Sequence, residues 1–451
     1  MMSRTRLPCA LWPVLALCLT VLDTRADTAP APDPATVLPT AATPAAVAVD
    51  SAGADNAKLF QTWLEDFRKE ASLAGISQAT LDATLTDLQP LDTVLERDQK
   101  QPEFLDTFLD YLNKRVSDRR LELGKEALGQ QAAQLAEVER RYGIPARYLV
   151  AFWGLETNYG SHLGDTPVIA AMATLAFDAR RPEFFRKQLL DALRIIDLGE
   201  VGAADLVGSW AGAIGHMQFI PSTYLAYAVD GDGDGRIDLR NSLPDALYSA
   251  ANYLKQSGWQ ADEGWGMEVR LPAGLDLAQA GLDRHKPLNR WAQLGLLRAD
   301  GTALPTGLQL ASLLLPQGYD GPAFLVTNNF RVILRWNRSV NYAIAVGHLA
   351  DRLAGGAPLS TGLQADNRRL SREQMETLQL YLDALGYAPG PADGVPGSRT
   401  RAAIRAFQMA VGLPPDGYPS MALLERLEST VLQQAQPVPG STLPATTLGP
   451  A

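Results

Sequence analysis

Residues 148–155 read Tyr-Leu-Val-Ala-Phe-Trp-Gly-Leu, a run with no charged side chain and no polar face. A helix of that composition has to be buried on every side, so the chain must build other elements all round it. The flanking sequence offers helices for the purpose. Leu59, Phe60, Trp63, Leu64 and Phe67 recur at the spacing of an amphipathic helix face, and Phe104, Phe108, Tyr111 and Leu112 repeat it. Residues 121–139 predict one long charged helix that stops before Tyr142-Gly143-Ile144-Pro145. Strand signals are sparse, with 330–334 the best of them. The expected fold is mainly α with minor β.

Both cysteines, Cys9 and Cys18, lie in a segment with the marks of a signal peptide. Arg4 and Arg6 precede an apolar stretch, 7–22, and Thr24-Arg25-Ala26 supplies a small-x-small cleavage pattern, which gives 1–26 as the signal. The alternative is a lipoprotein signal acylated at Cys18, but Leu17 stands where such signals want a small side chain. The apolar stretch is short for a membrane span, and no later run is long enough for one. Cleavage after Ala26 leaves an exported chain without thiols, which excludes thiol catalysis and a disulfide framework. The core alone must then hold the fold. Residues 27–56 are rich in Ala, Pro and Thr and read as a disordered tether, and 431–451 read as a similar tail. Gly355, Gly356, Pro358 and Gly362 mark a linker at 354–366. The chain therefore divides into a large unit, 57–353, and a small one, 367–430. A formal charge of −10 argues against nucleic acid as a partner.

Chemistry first appears where the apolar helix ends, in Gly154-Leu155-Glu156-Thr157-Asn158-Tyr159-Gly160. Desolvation and the negative end of the helix dipole both disfavour a charged Glu156. A carboxylic acid that keeps its proton near neutral pH is what protonation of a glycosidic oxygen requires. The competing reading is a partly exposed Glu in an ordinary helix stop, with Gly160 as terminator. Further on, residues 208–222 space glycines three or four apart, so that backbone can approach a ligand or a neighbouring helix closely. Ser209 and Gln218 would supply hydrogen bonds there and Trp210 a stacking wall; tight helix packing is the alternative.

Residues 230–238 read Asp-Gly-Asp-Gly-Asp-Gly-Arg-Ile-Asp. Asp230, Asp232 and Asp234 occupy positions 1, 3 and 5 of an EF-hand-like loop, with Ile237 at the hydrophobic eighth position. Hard carboxylate oxygens at that spacing suit Ca²⁺. Asn241 stands where the closing Glu is usual, and a metal-free Asp-Gly turn is the alternative. The four histidines show no zinc-ligand spacing, and no P-loop, dinucleotide fingerprint or nucleophile elbow is present. Asp165 and Asp178 read as caps or surface residues. In the small unit, Gln374, Leu378, Leu382 and Leu385 mark a helix face. Asp393-Gly394-Val395-Pro396-Gly397-Ser398-Arg399-Thr400 then opens a second helix with Phe407 and Gln408, and 421–427 predict a short third.

Taken together, Glu-Thr-x-Tyr-Gly, Gly-Ser-Trp-Ala-Gly-Ala-x-Gly-x-x-Gln-Phe-x-Pro-Ser and Arg335-Trp336-Asn337 resemble the lytic murein transglycosylase B family over nearly all of 57–353. The resemblance implies a lysozyme-like catalytic domain in which one glutamate, here Glu156, serves as acid and then base. It also implies that Tyr111, Ser209, Gln218, Tyr253, Trp336, Asn337 and Tyr342 line the sugar groove, Trp336 standing where Tyr is common. For the acidic loop it implies that Asp245 supplies the closing carboxylate and Arg236 a backbone carbonyl, so that Asp230, Asp232, Asp234, Arg236 and Asp245 hold a structural Ca²⁺. No cofactor is implied for catalysis. The small unit resembles the three-helix peptidoglycan-binding type 1 domain, a generic helical bundle being the alternative. The expected protein is a periplasmic enzyme of cell-wall turnover that acts on peptidoglycan glycan strands, with other cell-wall enzymes as further partners. It would cleave the β-1,4 bond between N-acetylmuramic acid and N-acetylglucosamine and leave 1,6-anhydro ends. A lysozyme-type hydrolase and a non-catalytic wall-binding protein are the rivals.

Overall fold

The computed structural model describes residues 51–99, 106–178 and 181–435. The expected signal peptide, Cys18, most of the tether and most of the tail lie outside the described residues. The apolar run forms the helix Ala146–Thr157, and every residue from Tyr148 to Thr157 is buried. The helices Asp118–Gln130, Ala132–Tyr142, Leu243–Gln256 and Val340–Leu353 pack round it, as its lack of a polar face demands.

Two local expectations are corrected. The single helix expected over 121–139 is two, Asp118–Gln130 and Ala132–Tyr142, with a break at Gln131. The break follows Gly129, a weak helix former, and lets the second helix turn onto Leu243–Gln256. Residues 330–334, expected as a strand, belong to the helix Asn328–Trp336. Phe330 and Ile333 are buried at helical spacing, and Arg331 and Arg335 sit four residues apart beside them, a period that β-propensity conceals.

The β-structure is a five-stranded antiparallel sheet in the order His285–Pro287, Leu310–Leu314, Ala323–Val326, Gly266–Arg270, Leu297–Arg298. The strands Leu310–Leu314 and Ala323–Val326 are buried on both faces. Leu314, Phe324 and Val326 join the helical core, while Leu313, Ala323 and Leu325 pack with Trp291 and Leu288 in a smaller one. The helices Arg372–Ala384, Ser398–Ala410 and Met421–Ala435 close over a separate core that includes Leu378, Leu382, Ile404, Phe407 and Leu427. The last helix is longer than expected and runs past 430 into the supposed tail.

The linker is fastened along its length. Ser360 N–H and the backbone and hydroxyl of Thr361 donate to the Glu268 carboxylate at 2.6–3.2 Å. Gln317, only 3% exposed, accepts from Leu109 N–H at 3.0 Å and donates to Asp366 O and Asn367 Oδ1. Asn367 and Arg369 in turn donate to Asp110 on the helix Phe108–Arg115. The Asp416 carboxylate of the three-helix module accepts from Tyr319 N–H at 2.8 Å.

Candidate active site

Glu156 lies in the last turn of the helix Ala146–Thr157 and is 7% exposed. The helix is capped by Asn158 rather than by Gly160. Asn158, Tyr159 and Gly160 follow one another in the left-handed region, at φ 48°, 60° and 83°. Two left-handed non-glycine residues in a row are costly, and such strain persists where the surroundings over-determine it. Here Tyr159 O–H donates to Arg120 O at 2.8 Å and Asn158 Nδ2 donates to Ser161 Oγ at 3.0 Å.

Two donors meet on one oxygen of the carboxylate. Trp336 Nε1–H donates to Glu156 Oε1 at 2.9 Å, and Tyr342 O–H donates to the same oxygen. Burial and the helix end disfavour charge on Glu156, while the two donors favour it. Trp336 is fixed by aromatic neighbours: Phe152 at 4.5 Å between ring centroids, Tyr253 at 5.0 Å and Phe219 at 5.4 Å. Tyr253 stacks edge-on to Tyr227 and donates its hydroxyl to Arg335 O at 2.8 Å.

The segment 208–219 is a tight backbone turn. Ser209 Oγ accepts from Ala213 N–H at 3.0 Å, and the backbone of Ile214 bridges to Gly208 and Phe219. A Cβ at Gly215 would collide with the carbonyl of Leu239, and the residue lies at φ 71°, so both close approach and the left-handed backbone require glycine there. Gln218 has φ 50°, rare for a side chain other than Gly, Asn or Asp, and its Nε2 donates to Gly215 O at 2.9 Å. Asn337 Oδ1 accepts from Ser339 N–H at 3.0 Å, next to the start of the helix Val340–Leu353.

Of the residues expected to line the groove, Trp336 and Tyr342 bond Glu156 directly, and Tyr253 reaches it only through the Trp336 ring. Ser209 and Gln218 stand on the neighbouring turn, whose Phe219 touches Trp336. Tyr342 is 3% exposed, so it holds the glutamate from within rather than lining an open groove. Tyr111 lies half-buried on the helix Phe108–Arg115, with the Arg115 guanidinium 5.3 Å above its ring. That helix packs on Val340–Leu353, which carries Tyr342. Sequence reasoning does not single out Thr157, Phe219 or Tyr227. Thr157 and Phe219 stand in the Glu-Thr-x-Tyr-Gly and Gln-Phe-x-Pro-Ser motifs, a signal that could have found them, while Tyr227 has none beyond being aromatic.

In the acidic loop, Asp230, Asp232 and Asp245 each bring a carboxylate oxygen within 4.8 Å of the other two. Asp245, 1% exposed in the first turn of Leu243–Gln256, accepts from Gly231 N–H and Asp238 N–H, both at 2.7 Å. Burial pushes its pKa above the usual carboxylate value, while the N–H groups of Gly235 and Gly233 pull that of Asp230 down. Asp234 Oδ1 accepts from Arg236 N–H at 2.8 Å, and the Arg236 guanidinium donates to Glu200 O. Three converging carboxylates, one of them buried, suit a divalent cation with hard oxygen ligands.

Residues 59–351 match the transglycosylase SLT domain and residues 371–427 the putative peptidoglycan binding domain. The membrane-bound lytic murein transglycosylase B of Escherichia coli K12 is 33% identical over 302 residues, 62% of this chain and 79% of that protein. Among solved structures, SltB3 from Pseudomonas aeruginosa in complex with NAG-anhNAM-pentapeptide is 49% identical with a TM-score of 0.79, over 82% of this chain and 99% of that one. The Escherichia coli lytic transglycosylase SLT35 in complex with calcium is 32% identical with a TM-score of 0.55, over 66% of this chain and 92% of that one.

Proposed function

The chain belongs to the transglycosylase SLT family, and on that premise we propose that it is a peptidoglycan lytic transglycosylase in which Glu156 is the acid and base. The observation that carries this role is the buried carboxylate at the helix end with Trp336 and Tyr342 donating to one of its oxygens. With Oε1 accepting from both donors, the proton of the acid form is assigned to Oε2. Glu156 protonates the glycosidic oxygen as the bond to N-acetylmuramic acid C1 breaks. As carboxylate it next accepts the proton of the C6 hydroxyl, whose oxygen attacks C1 and closes the 1,6-anhydro ring. No water is consumed. The half-buried rings of Trp336 and Tyr253, backed by the buried Phe219, fit the apolar faces of sugar rings, with Ser209, Gln218 and Asn337 as polar contacts beside them. Asp178 closes the helix Val168–Phe177, in keeping with a cap rather than a second catalytic carboxylate. A protein that merely grips the wall has no use for a buried acid held by two donors. Incubation with purified sacculi separates the readings: a transglycosylase releases soluble muropeptides and a pure binder releases none.

Asp230, Asp232 and Asp245 would hold Ca²⁺, with Asp234 and the Arg236 carbonyl completing the loop. When bound, the ion would supply charge compensation for the clustered carboxylates, and the proton transfers assigned to Glu156 need no metal. An N-terminal signal and a murein substrate together support a periplasmic location.

The three-helix module is proposed to bind the same polymer, and its docking carries a consequence. Deleting 367–435 strips Gln317 Nε2 of Asn367, and Asp110 of Asn367 and Arg369, at the helix that carries Tyr111. The expected result is weaker binding to sacculi, by about 10²-fold if avidity is lost, together with slower turnover of soluble glycan and a lower melting temperature. Soluble-glycan kinetics that match the full chain would make the module a tether only.

A further inference from the structure

The peptide of His216 lies between two parts of the molecule with different jobs. Its N–H donates to Leu239 O at 2.9 Å, in the exit of the acidic loop, and its carbonyl accepts from Thr157 Oγ1 at 2.9 Å. Thr157 follows Glu156 directly and is 1% exposed. The same hydroxyl accepts from Gly160 N–H at 3.1 Å, so it also ties the left-handed turn beyond the helix. The His216 ring is held as well: Trp153 Nε1–H donates to its Nδ1 at 3.0 Å, and a Cβ at Gly160 would press on the ring. Upstream, Leu239 follows Asp238, whose N–H donates to the buried Asp245 carboxylate. A second strut runs in parallel, with Arg240 Nη1 donating to Gly164 O at 2.8 Å. From Asp245 to Glu156 the path is therefore short, hydrogen-bonded and largely buried.

We propose that Thr157 and the His216 peptide are positioning elements through which the acidic loop 230–245 sets the place of Glu156. This rests on the reading of Glu156 as the acid and of the loop as a cation site. A carboxylate in the last turn of a helix can shift as that turn frays, and the Thr157 hydroxyl pins the turn to the His216 carbonyl, beside the Tyr159 hydroxyl on Arg120 O. Folding of the loop around its ion fixes Asp238 and Leu239, and His216 carries that constraint to the helix. Two sites joined in this way share a coupling free energy, so the state of the loop is read at the acid.

Thr157→Val keeps the shape of the side chain and removes the hydroxyl. Its kcat on soluble glycan should fall about 10- to 100-fold, the range for small misplacement of a catalytic group, while KM stays near the wild-type value. Thr157→Ser, which restores the hydroxyl, should recover most of kcat. Calcium supplies the second arm. Below the melting transition, chelation should lower the kcat of the wild type and calcium should restore it. In Thr157→Val, calcium should still raise the melting temperature but leave kcat flat. Should that variant fold poorly, Arg240→Met, which removes the half-exposed strut, should retain the calcium effect on melting and show a smaller one on kcat. Wild-type kcat in Thr157→Val, or the same calcium response of kcat in wild type and variants, would overturn the proposal. A chain whose melting and kcat both ignore calcium would overturn the coupling together with the cation site. Failure of the acid assignment looks different: it appears as activity in Glu156→Gln.

Discussion

Glu156→Gln should bind wall material and release no soluble product, with kcat reduced at least about 10³-fold, within the range that general acid–base groups supply. Glutamine has the shape of glutamate, and its Oε1 can still accept from Trp336 Nε1–H and Tyr342 O–H, so the buried site keeps its packing and these two hydrogen bonds. What it lacks is a proton to give and a charge with which to take one back. Both half-reactions fail at once, which is why the loss exceeds that for any single groove residue. Binding to sacculi and the melting temperature serve as controls. If they are preserved and the variant still turns over glycan at more than a few per cent of the wild-type rate, the acid lies elsewhere.

The second large effect belongs to Asp245. Asp245→Ala should lower stability by about 2 kcal/mol, because the N–H groups of Gly231 and Asp238 lose their acceptor in a partly buried place, at about 1 kcal/mol each, the low end for unsatisfied groups. The same change removes one of the three carboxylates that converge in the loop. Ca²⁺ at a hundredfold excess over its dissociation constant should stabilise the wild type by about 2.7 kcal/mol through mass action. Chelation should therefore lower the melting temperature of the wild type, and Asp245→Ala should melt early and show no response to calcium. Thermal unfolding with calcium and with chelator reads both effects. A wild-type curve that ignores chelation would remove calcium from the loop, while the penalty of the substitution would remain.

The sequence makes some of this legible and hides the rest for physical reasons. The buried helix is plain because 148–155 have no polar face, and any fold of this chain must surround them. The acidic loop is equally plain, since its three leading aspartates lie within five residues and the local chain alone dictates their convergence. The meeting of Trp336 and Tyr342 on Glu156 is of another kind. These residues are 180 and 186 positions from the glutamate and reach it only through the packing of two helices on a third. A family resemblance can put them on one list, but only the fold puts both on one oxygen. Strands 310–314 and 323–326 escape notice because both faces are buried, which erases the alternation by which a strand is recognised. The linker misleads in the opposite direction. Its glycines and proline suggest freedom, yet the groups that tie it down are backbone N–H donors and the Glu268 carboxylate, which composition does not register.

Mass spectrometry of the muropeptides released from purified sacculi bears most directly on the chemistry. A hydrolase needs a second carboxylate, about 5 Å from the acid to act as nucleophile or about 6.5–9.5 Å away to activate water. Internal attack needs only Glu156, because the C6 hydroxyl is already tethered to the reacting ring, and such tethering is worth roughly 7–11 kcal/mol. The expected products end in 1,6-anhydromuramic acid and are lighter by one water than those of hydrolysis. Muropeptides that end mainly in reducing muramic acid would contradict this and assign the protein to hydrolysis.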